Sequence, residues 1–97
     1  MQNENKFQSK LIEELKAQYP DALIIKTDPH RYQGLPDILI LEKNKWAMLE
    51  CKKQKNASHR PNQEFYVNKA NDMSFARFIY PENKEEVLNE LQRALQP

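Results

Sequence analysis

The chain has 97 residues, a single glycine and a formal net charge of +1. About seven glycines are usual at this length, and both phosphate-binding glycine loops and dinucleotide-binding fingerprints need several of them close together. The single cysteine, Cys51, excludes an intramolecular disulfide and a cysteine-rich zinc site. The composition therefore argues against a nucleotide cofactor and is typical of a protein from a reducing compartment.

Hydrophobicity and charge predict one small globular domain over residues 1–97. Hydrophobic residues make up 39% and charged residues 30% of the chain, a balance typical of folded proteins. No apolar run exceeds four residues, so we expect no membrane-spanning helix, no signal peptide and a cytoplasmic location. Because a domain this small buries only about 60–65% of its unfolded surface, a partner subunit would add to its core.

The net charge conceals an uneven distribution along the chain. Residues 43–60 carry six basic side chains and one acidic side chain, whereas residues 82–97 carry four acidic and two basic ones. A basic middle segment with a mildly acidic end indicates contact with a polyanion on one side of the molecule.

Periodicity and turn residues predict an α/β fold of the α+β type, with a four-stranded mixed sheet flanked by helices. Pro20 ends the first helical pattern, and Pro61 is expected near the start of the second helix. Asn44 is the expected left-handed residue of a tight hairpin. Asn83 followed by Glu86 predicts a capping box before an amphipathic closing helix. In chain order we predict helix 4–18, strands 23–27, 37–41 and 46–52, helix 63–73, strand 75–80 and the closing helix.

Residues that carry chemistry concentrate around the predicted hairpin. Asp37 opens one strand, and Glu50 and Lys52 are two residues apart on the next, so their side chains point to the same side. A turn near Asn44 would bring Asp37 opposite Glu50, and two carboxylates with a backbone carbonyl suit Mg²⁺ or Mn²⁺ better than zinc. Lys52 would then reach a metal-bound water and a phosphate. This pattern indicates phosphodiester hydrolysis.

Two segments, GLPDI from Gly34 and MLECKK from Met48, closely resemble the PD-(D/E)XK nuclease superfamily. The G-x-PD motif, the small size and a glutamine at the start of the next helix are similar to its VRR-NUC branch, whose stand-alone members are small phage and bacterial nucleases. The resemblance implies a restriction-endonuclease-like core. It also implies that a metal ion is bound by Asp37, Glu50 and the Cys51 backbone carbonyl. The catalytic residues that it implies are the same two carboxylates together with Lys52 and Gln63.

The resemblance implies one further metal ligand on the first helix. The VRR-NUC branch often carries a glutamate and a glutamine there, and Glu4 and Gln8 have the same E-x-x-x-Q spacing. Because Glu4 is close to the terminus, where helices fray, Glu14 is the alternative ligand.

Basic residues that follow the predicted site are candidate nucleic-acid contacts. We assign phosphate contact to four of them: Lys53, Lys55, His59 and Arg60. Lys43 and Lys45 are explained equally well as protection of a sheet edge.

Two aromatic residues of the second helix allow two interpretations. Phe65 and Tyr66 fit base stacking, but aromatic residues at helical spacing more often pack in a core. We therefore expect Phe65, Tyr66, Ala70 and Met73 to form the inner side of this helix.

The function predicted from these residues is a Mg²⁺- or Mn²⁺-dependent DNA endonuclease in a bacterial cytoplasm or a phage-infected cell. A chain this short has no separate module for reading base edges, which favours recognition of DNA shape. A homodimer would present two active sites to a Holliday junction or other branched DNA. The alternative is a non-catalytic nucleic-acid-binding module with the same fold. An accessory protein that mimics DNA is disfavoured by the basic segment.

The lone glycine, Gly34, lies three residues before Asp37. We expect it to provide a positive φ or a close approach of backbone to phosphate. Gly34→Val should then damage activity more than stability.

Overall fold

The computed structural model describes residues 3–97, which form three helices and a four-stranded mixed sheet. The elements are α1 Glu4–Gln18, β1 Leu23–Lys26, β2 Ile38–Glu42, β3 Lys45–Cys51, α2 Pro61–Met73, β4 Ala76–Ile79 and α3 Lys84–Leu95. The predicted element order and the α+β class are confirmed. Within residues 3–97, every helix is too short or too polar to cross a bilayer.

The sheet is an antiparallel meander extended by one parallel strand. Its spatial order is β1-β2-β3-β4, with β1–β2 and β2–β3 antiparallel and β3–β4 parallel. The parallel pair is joined through α2, because a parallel strand needs a crossover connection. Ile38 pairs with Leu49, so the residue before Ile38, Asp37, lies beside Glu50 at one end of the sheet.

The β2–β3 hairpin has a two-residue turn, because Glu42 pairs with Lys45. Its positive φ, 57°, is at Lys43. The prediction placed it at Asn44 and was wrong by one residue. Two-residue hairpins can require a left-handed conformation at their first central position, and here that position is occupied by lysine.

Asn83 is the N-cap residue of α3, as predicted, but its side chain does not cap the helix. Asn83 Oδ1 accepts a hydrogen bond from the Tyr80 N–H at 2.8 Å, and Nδ2 donates to the Phe78 carbonyl at 3.1 Å. The predicted capping box with Glu86 is therefore wrong, because the Asn83 amide closes the turn after β4 instead.

The larger apolar core lies on the sheet face covered by α1 and α3, which we call the α1/α3 face. Alternate strand residues point to this face and pack against both helices. The buried residues are Phe7, Leu11, Leu15, Ile38, Ile40, Ala47, Leu49, Cys51, Phe75, Ile79, Val87, Leu91 and Leu95.

The opposite face, which we call the α2 face, is covered by α2, which packs on β3 and β4. Its core is smaller than that of the α1/α3 face. Its buried apolar residues are Met48, Val67, Ala70 and Ala76. Phe65 and Met73 are 59% and 68% exposed, so the prediction that they belong to the inner side of α2 is wrong. Val67, three residues before Ala70, takes the inward position instead.

Gly34 has a φ of +88° in the loop between β1 and β2, which confirms the expected positive φ. A Cβ at this position would lie 3.0 Å from backbone and side-chain carbons of Asn62. Asn62 Nδ2 also donates to the Gln33 carbonyl at 3.2 Å. The backbone thus approaches the first turn of α2 closely, and we expect Gly34→Val to reduce stability as well as activity.

Candidate active site

The two predicted metal-binding carboxylates meet at one end of the sheet. Asp37 directly precedes β2, and its Oδ2 accepts a hydrogen bond from the Cys51 N–H at 2.9 Å. Glu50, near the end of β3, is only 2% exposed. The hairpin register therefore brings Asp37 and Glu50 together as the sequence predicts, with the Cys51 backbone beside Asp37.

Gln63 connects Lys52 to Glu50. Lys52 Nζ donates to Gln63 Oε1 at 2.8 Å, and Gln63 Nε2 donates to Glu50 Oε2 at 3.1 Å. Lys52 Nζ also lies 4.0 Å from Glu50 Oε2. The Arg60 N–H donates to Gln63 Oε1 at 3.0 Å, so the start of α2 fixes the orientation of the amide. Lys52 and Gln63, both predicted from the sequence, form one hydrogen-bonded network with Glu50.

One oxygen of Glu50 has no hydrogen-bond partner within residues 3–97. This atom, Oε1, is buried, whereas Oε2 accepts from Gln63. No N–H group or other donor of these residues reaches it, so without a metal it can be satisfied only by a proton shared with Asp37, a hydrogen bond that raises the pKa of Glu50 and lowers that of Asp37. A divalent cation held between Asp37 and Glu50 would satisfy this oxygen, so the donor set fits Mg²⁺ or Mn²⁺.

Burial and mutual repulsion disfavour the ionised forms of these carboxyls. Burial raises the pKa of Glu50 to about 8, the Asp37 charge adds to the shift, and Lys52 opposes it. Burial also raises the pKa of Asp37, although the Cys51 N–H and Lys52 favour its ionised form. A bound cation would favour both carboxylates, so metal binding and deprotonation are coupled.

The Cys51 thiol is not a nucleophile in this site. Burial raises the pKa of Cys51 well above its ordinary value, and the nearby Asp37 and Glu50 charges raise it further. Since the thiolate is the reactive form of cysteine, the side chain of Cys51 contributes packing on the α1/α3 face.

A cavity of about 750 Å³ opens at this carboxylate cluster, a size typical of ligand sites. Glu4 and Gln8 line it from α1, Lys26 from the end of β1, and Lys53 and Arg60 from the segment between β3 and α2. The cavity therefore combines acidic residues with a basic rim.

The structure distinguishes between the two candidate ligands on α1. Glu4 lines the cavity, and burial raises its pKa while the charge of Lys52 lowers it. Glu14 forms an ion pair with Lys84 and lies beside a separate cavity. Glu4 is thus the α1 carboxylate that reaches the site, and the alternative, Glu14, is wrong.

The structure places two of the four predicted phosphate-binding residues at the cavity and the other two outside it. Lys53 and Arg60 line the cavity, whereas Lys55 and His59 lie outside its lining. The His59 ring stacks on Phe78 with centroids 3.9 Å apart and planes 8° apart, and its Nδ1 lies 3.5 Å from Glu64 Oε1. Direct phosphate contact by Lys55 and His59 stays a prediction.

Lys26 and Thr27 also line this cavity, although no sequence pattern singled them out. The Thr27 N–H donates to the Asp37 carbonyl at 2.8 Å, and Lys26 pairs with Ile38. The only available signal was a lysine at the end of a strand, which is informative only when the β1–β2 register is known.

Within residues 3–97, no group of three or more His, Cys, Asp and Glu side chains is placed to hold a metal ion. Mg²⁺ is commonly bound by one or two carboxylates, with waters and substrate phosphates completing its shell. The pair of Asp37 and Glu50 meets that smaller requirement.

No family model, curated protein or solved structure matches the chain. Evidence for a function comes from the chemistry of the site and from the two sequence motifs.

Proposed function

We propose that the protein is a divalent-metal-dependent nuclease that hydrolyses phosphodiester bonds in DNA, built on a restriction-endonuclease-like core. The observation that carries this proposal is the buried Glu50 carboxylate, which has an unpartnered oxygen within residues 3–97 and lies beside Asp37. A carboxylate with a purely structural role would have its buried oxygens hydrogen-bonded.

Asp37 and Glu50 would hold Mg²⁺ or Mn²⁺, with the Cys51 carbonyl as a further donor. Glu4 lines the same cavity, but within residues 3–97 it does not form a three-carboxylate group with this pair. When bound, the ion supplies Lewis acidity and a coordinated water of lowered pKa. The raised pKa of Glu50 means that the carboxyl must lose its proton to serve as a ligand.

Lys52 would bind the phosphate that is cleaved and stabilise the negative charge that develops on it. Its ammonium carries three donors, of which one is directed to Gln63. Gln63 holds this ammonium in place, because its own amide is fixed by the Arg60 N–H and by Glu50. Lys53 and Arg60, on the rim, would contact flanking phosphates.

Branched DNA, such as a Holliday junction, is the proposed substrate, and a homodimer the proposed assembly. The described residues form one small sheet with three helices, which supports recognition of DNA shape over base sequence. Two copies related by a two-fold axis would bring two sites to two strands.

Cleavage assays with synthetic four-way junctions, flaps and plain duplex in Mg²⁺ or Mn²⁺ test the proposal. We expect chelator-sensitive cleavage that is fastest on junctions. Asp37→Asn and Glu50→Gln keep the side-chain shape and should abolish cleavage, whereas Asp72→Asn, an exposed carboxylate on α2, should cut like the wild type. Equal cutting of all three substrates contradicts structure specificity, and wild-type cutting by either site variant contradicts the metal assignment.

A non-catalytic nucleic-acid-binding module is the second candidate. It is favoured by the lack, within residues 3–97, of a metal-binding group with three ligating side chains. DNA binding that is insensitive to chelator and is never followed by cleavage would support this function over the first.

A further inference from the structure

Lys26, at the end of β1, lines the cavity on the side opposite the segment 53–60. Lys26 pairs with Ile38, which packs in the core of the α1/α3 face. Because paired residues on neighbouring strands point to the same face, the Lys26 side chain leaves the sheet on the α1/α3 face. The segment 53–60 connects β3 to α2 and so belongs to the α2 face.

Asp37 lies between these two basic regions. The Thr27 N–H donates to the Asp37 carbonyl at 2.8 Å, which fixes the end of β1 beside the carboxylate pair. Lys26, Asp37, Lys53 and Arg60 all line the same cavity. A strand of nucleic acid that crosses the end of the sheet would meet Lys26 first, then the carboxylates, then Lys53 and Arg60.

We propose that Lys26 binds a backbone phosphate on one side of the scissile bond, opposite the phosphate bound by Lys53 and Arg60. This inference rests on the proposed function and names its substrate class. The site would take an internal phosphodiester with phosphates on both sides, so cleavage would not require a strand end.

Protection of the sheet edge explains the position of Lys26 less well than phosphate binding does. β1 is an edge strand, and lysine at such an edge can prevent unwanted pairing. However, Leu23 and Ile25 on the same strand are 62% and 39% exposed, so the edge is not generally protected by charge. The lysine of β1 is placed where the strand borders the carboxylate cavity.

The salt dependence of binding tests this role without cleavage. Binding of a synthetic four-way DNA junction is measured by fluorescence anisotropy in EDTA, for Lys26→Gln, Lys53→Gln and Lys16→Gln. Lys16 is exposed on α1, outside the cavity, and controls for the loss of one charge. Each lost phosphate contact should reduce the logarithmic salt slope by about 0.9, so raising the salt from about 50 to 200 mM should weaken binding roughly 3.5-fold less than in the wild type.

We expect Lys26→Gln and Lys53→Gln to show this change and Lys16→Gln to bind like the wild type. If Lys26→Gln matches Lys16→Gln while Lys53→Gln is impaired, the role of Lys26 is overturned and the proposed function stands. If Lys26→Gln and Lys53→Gln both match Lys16→Gln, the cavity does not bind nucleic acid, and the proposed function fails with the inference.

Circular DNA that carries a junction tests the substrate class directly. In Mn²⁺ the wild-type protein should cut a closed circular DNA with an extruded four-way junction as well as a linear DNA with the same junction. Cutting of the linear DNA alone would overturn the internal-phosphodiester assignment, and cutting of neither would contradict the nuclease function itself.

Discussion

On the α1/α3 face of the sheet, thirteen buried residues pack into one apolar core. The α2 face buries only four apolar residues in its core, and at the end of β3 it continues with the buried charged side chains of Glu50 and Lys52. β3 contributes to both faces: its Leu49 points to the larger core, while the neighbouring Met48 and Glu50 point to the smaller one.

The α1/α3 face therefore contributes most of the apolar burial, whereas the α2 face carries buried charges that apolar packing does not require. Replacing a buried ion pair by apolar residues of similar volume is often neutral or stabilising by about 1–4 kcal/mol. Glu50 and Lys52 occupy positions where such residues would extend the smaller core. Folding alone does not explain these charges, which supports the proposal that the α2 face carries the catalytic residues.

A cavity in the larger core should give the largest effect. Leu91 of α3 is fully buried, so Leu91→Ala should lower the free energy of unfolding by about 3–5 kcal/mol, while cleavage per folded molecule stays unchanged. Urea denaturation measures the first quantity and an assay corrected for folded fraction the second. Leu23→Ala, at an exposed position, is the control and should cost less than about 0.5 kcal/mol. Reduced cleavage per folded molecule would show that the two faces are coupled.

The reverse behaviour is expected for Lys52 on the α2 face. Lys52→Met removes the ammonium but keeps most of the volume, so the cleavage rate per folded molecule should fall by at least about a hundredfold, equal to about 2.7 kcal/mol. The free energy of unfolding should fall by less than in Leu91→Ala, because the Glu50 carboxyl left without its cation can take up a proton. Metal binding, measured by calorimetry, should persist. Lys69→Met, at an exposed position on α2, should leave the rate unchanged. Wild-type turnover in Lys52→Met would contradict the catalytic role of this lysine.

The two faces should also differ in their response to pH. Burial raises the pKa of Glu50 from 4.5 to about 8 in the folded state, so between these values the folded protein binds more protons than the unfolded chain. Its stability should therefore fall as pH rises through this window, by an amount on the order of 2 kcal/mol once relaxation around a buried charge is considered.

Chemical denaturation across this pH range, in the absence of metal, measures the effect. Glu50→Gln should remove most of the fall, whereas Glu13→Gln, an exposed carboxylate on α1, should retain it. Mn²⁺ should restore stability at the upper end of the window, because it binds the deprotonated pair. A stability that is flat with pH in the wild type would show that Glu50 is ionised without a metal.

The pairing of Asp37 with Glu50 could be predicted from the sequence because a tight hairpin leaves little freedom. Once the turn is placed between residues 42 and 45, counting outward pairs Ile38 with Leu49. The order of helices and strands could also be predicted from the sequence, since proline and periodic apolar residues indicate where helices begin and end.

Other features depend on packing that no local pattern encodes. Phe65 and Val67 are both apolar residues of α2, and only the contact of α2 with β3 and β4 decides which of them is buried. The choice between Glu4 and Glu14 depends on where α1 crosses the end of the sheet. Lys26 could not be recognised because its position follows from strand pairing across a long loop.

The smallest expected effect concerns His59, which links β4 to the start of α2. Its ring stacks on Phe78, and the next residue, Arg60, supplies the N–H that holds Gln63 Oε1. Loss of the stacking, worth about 0.5–1.5 kcal/mol, should loosen this backbone and so the Gln63 amide. His59→Ala should therefore reduce the cleavage rate roughly two- to tenfold, with DNA affinity nearly unchanged.

His59→Phe distinguishes this positioning role from a phosphate contact. A phenyl ring preserves the flat surface that stacks on Phe78, so it should recover most of the cleavage rate that His59→Ala loses. If His59 instead binds phosphate, His59→Phe should be as impaired as His59→Ala, and both variants should show a reduced salt dependence of DNA binding. The predicted recovery would show that the α2 face positions its catalytic network through aromatic packing, whereas failure to recover would extend the basic rim of the cavity to His59.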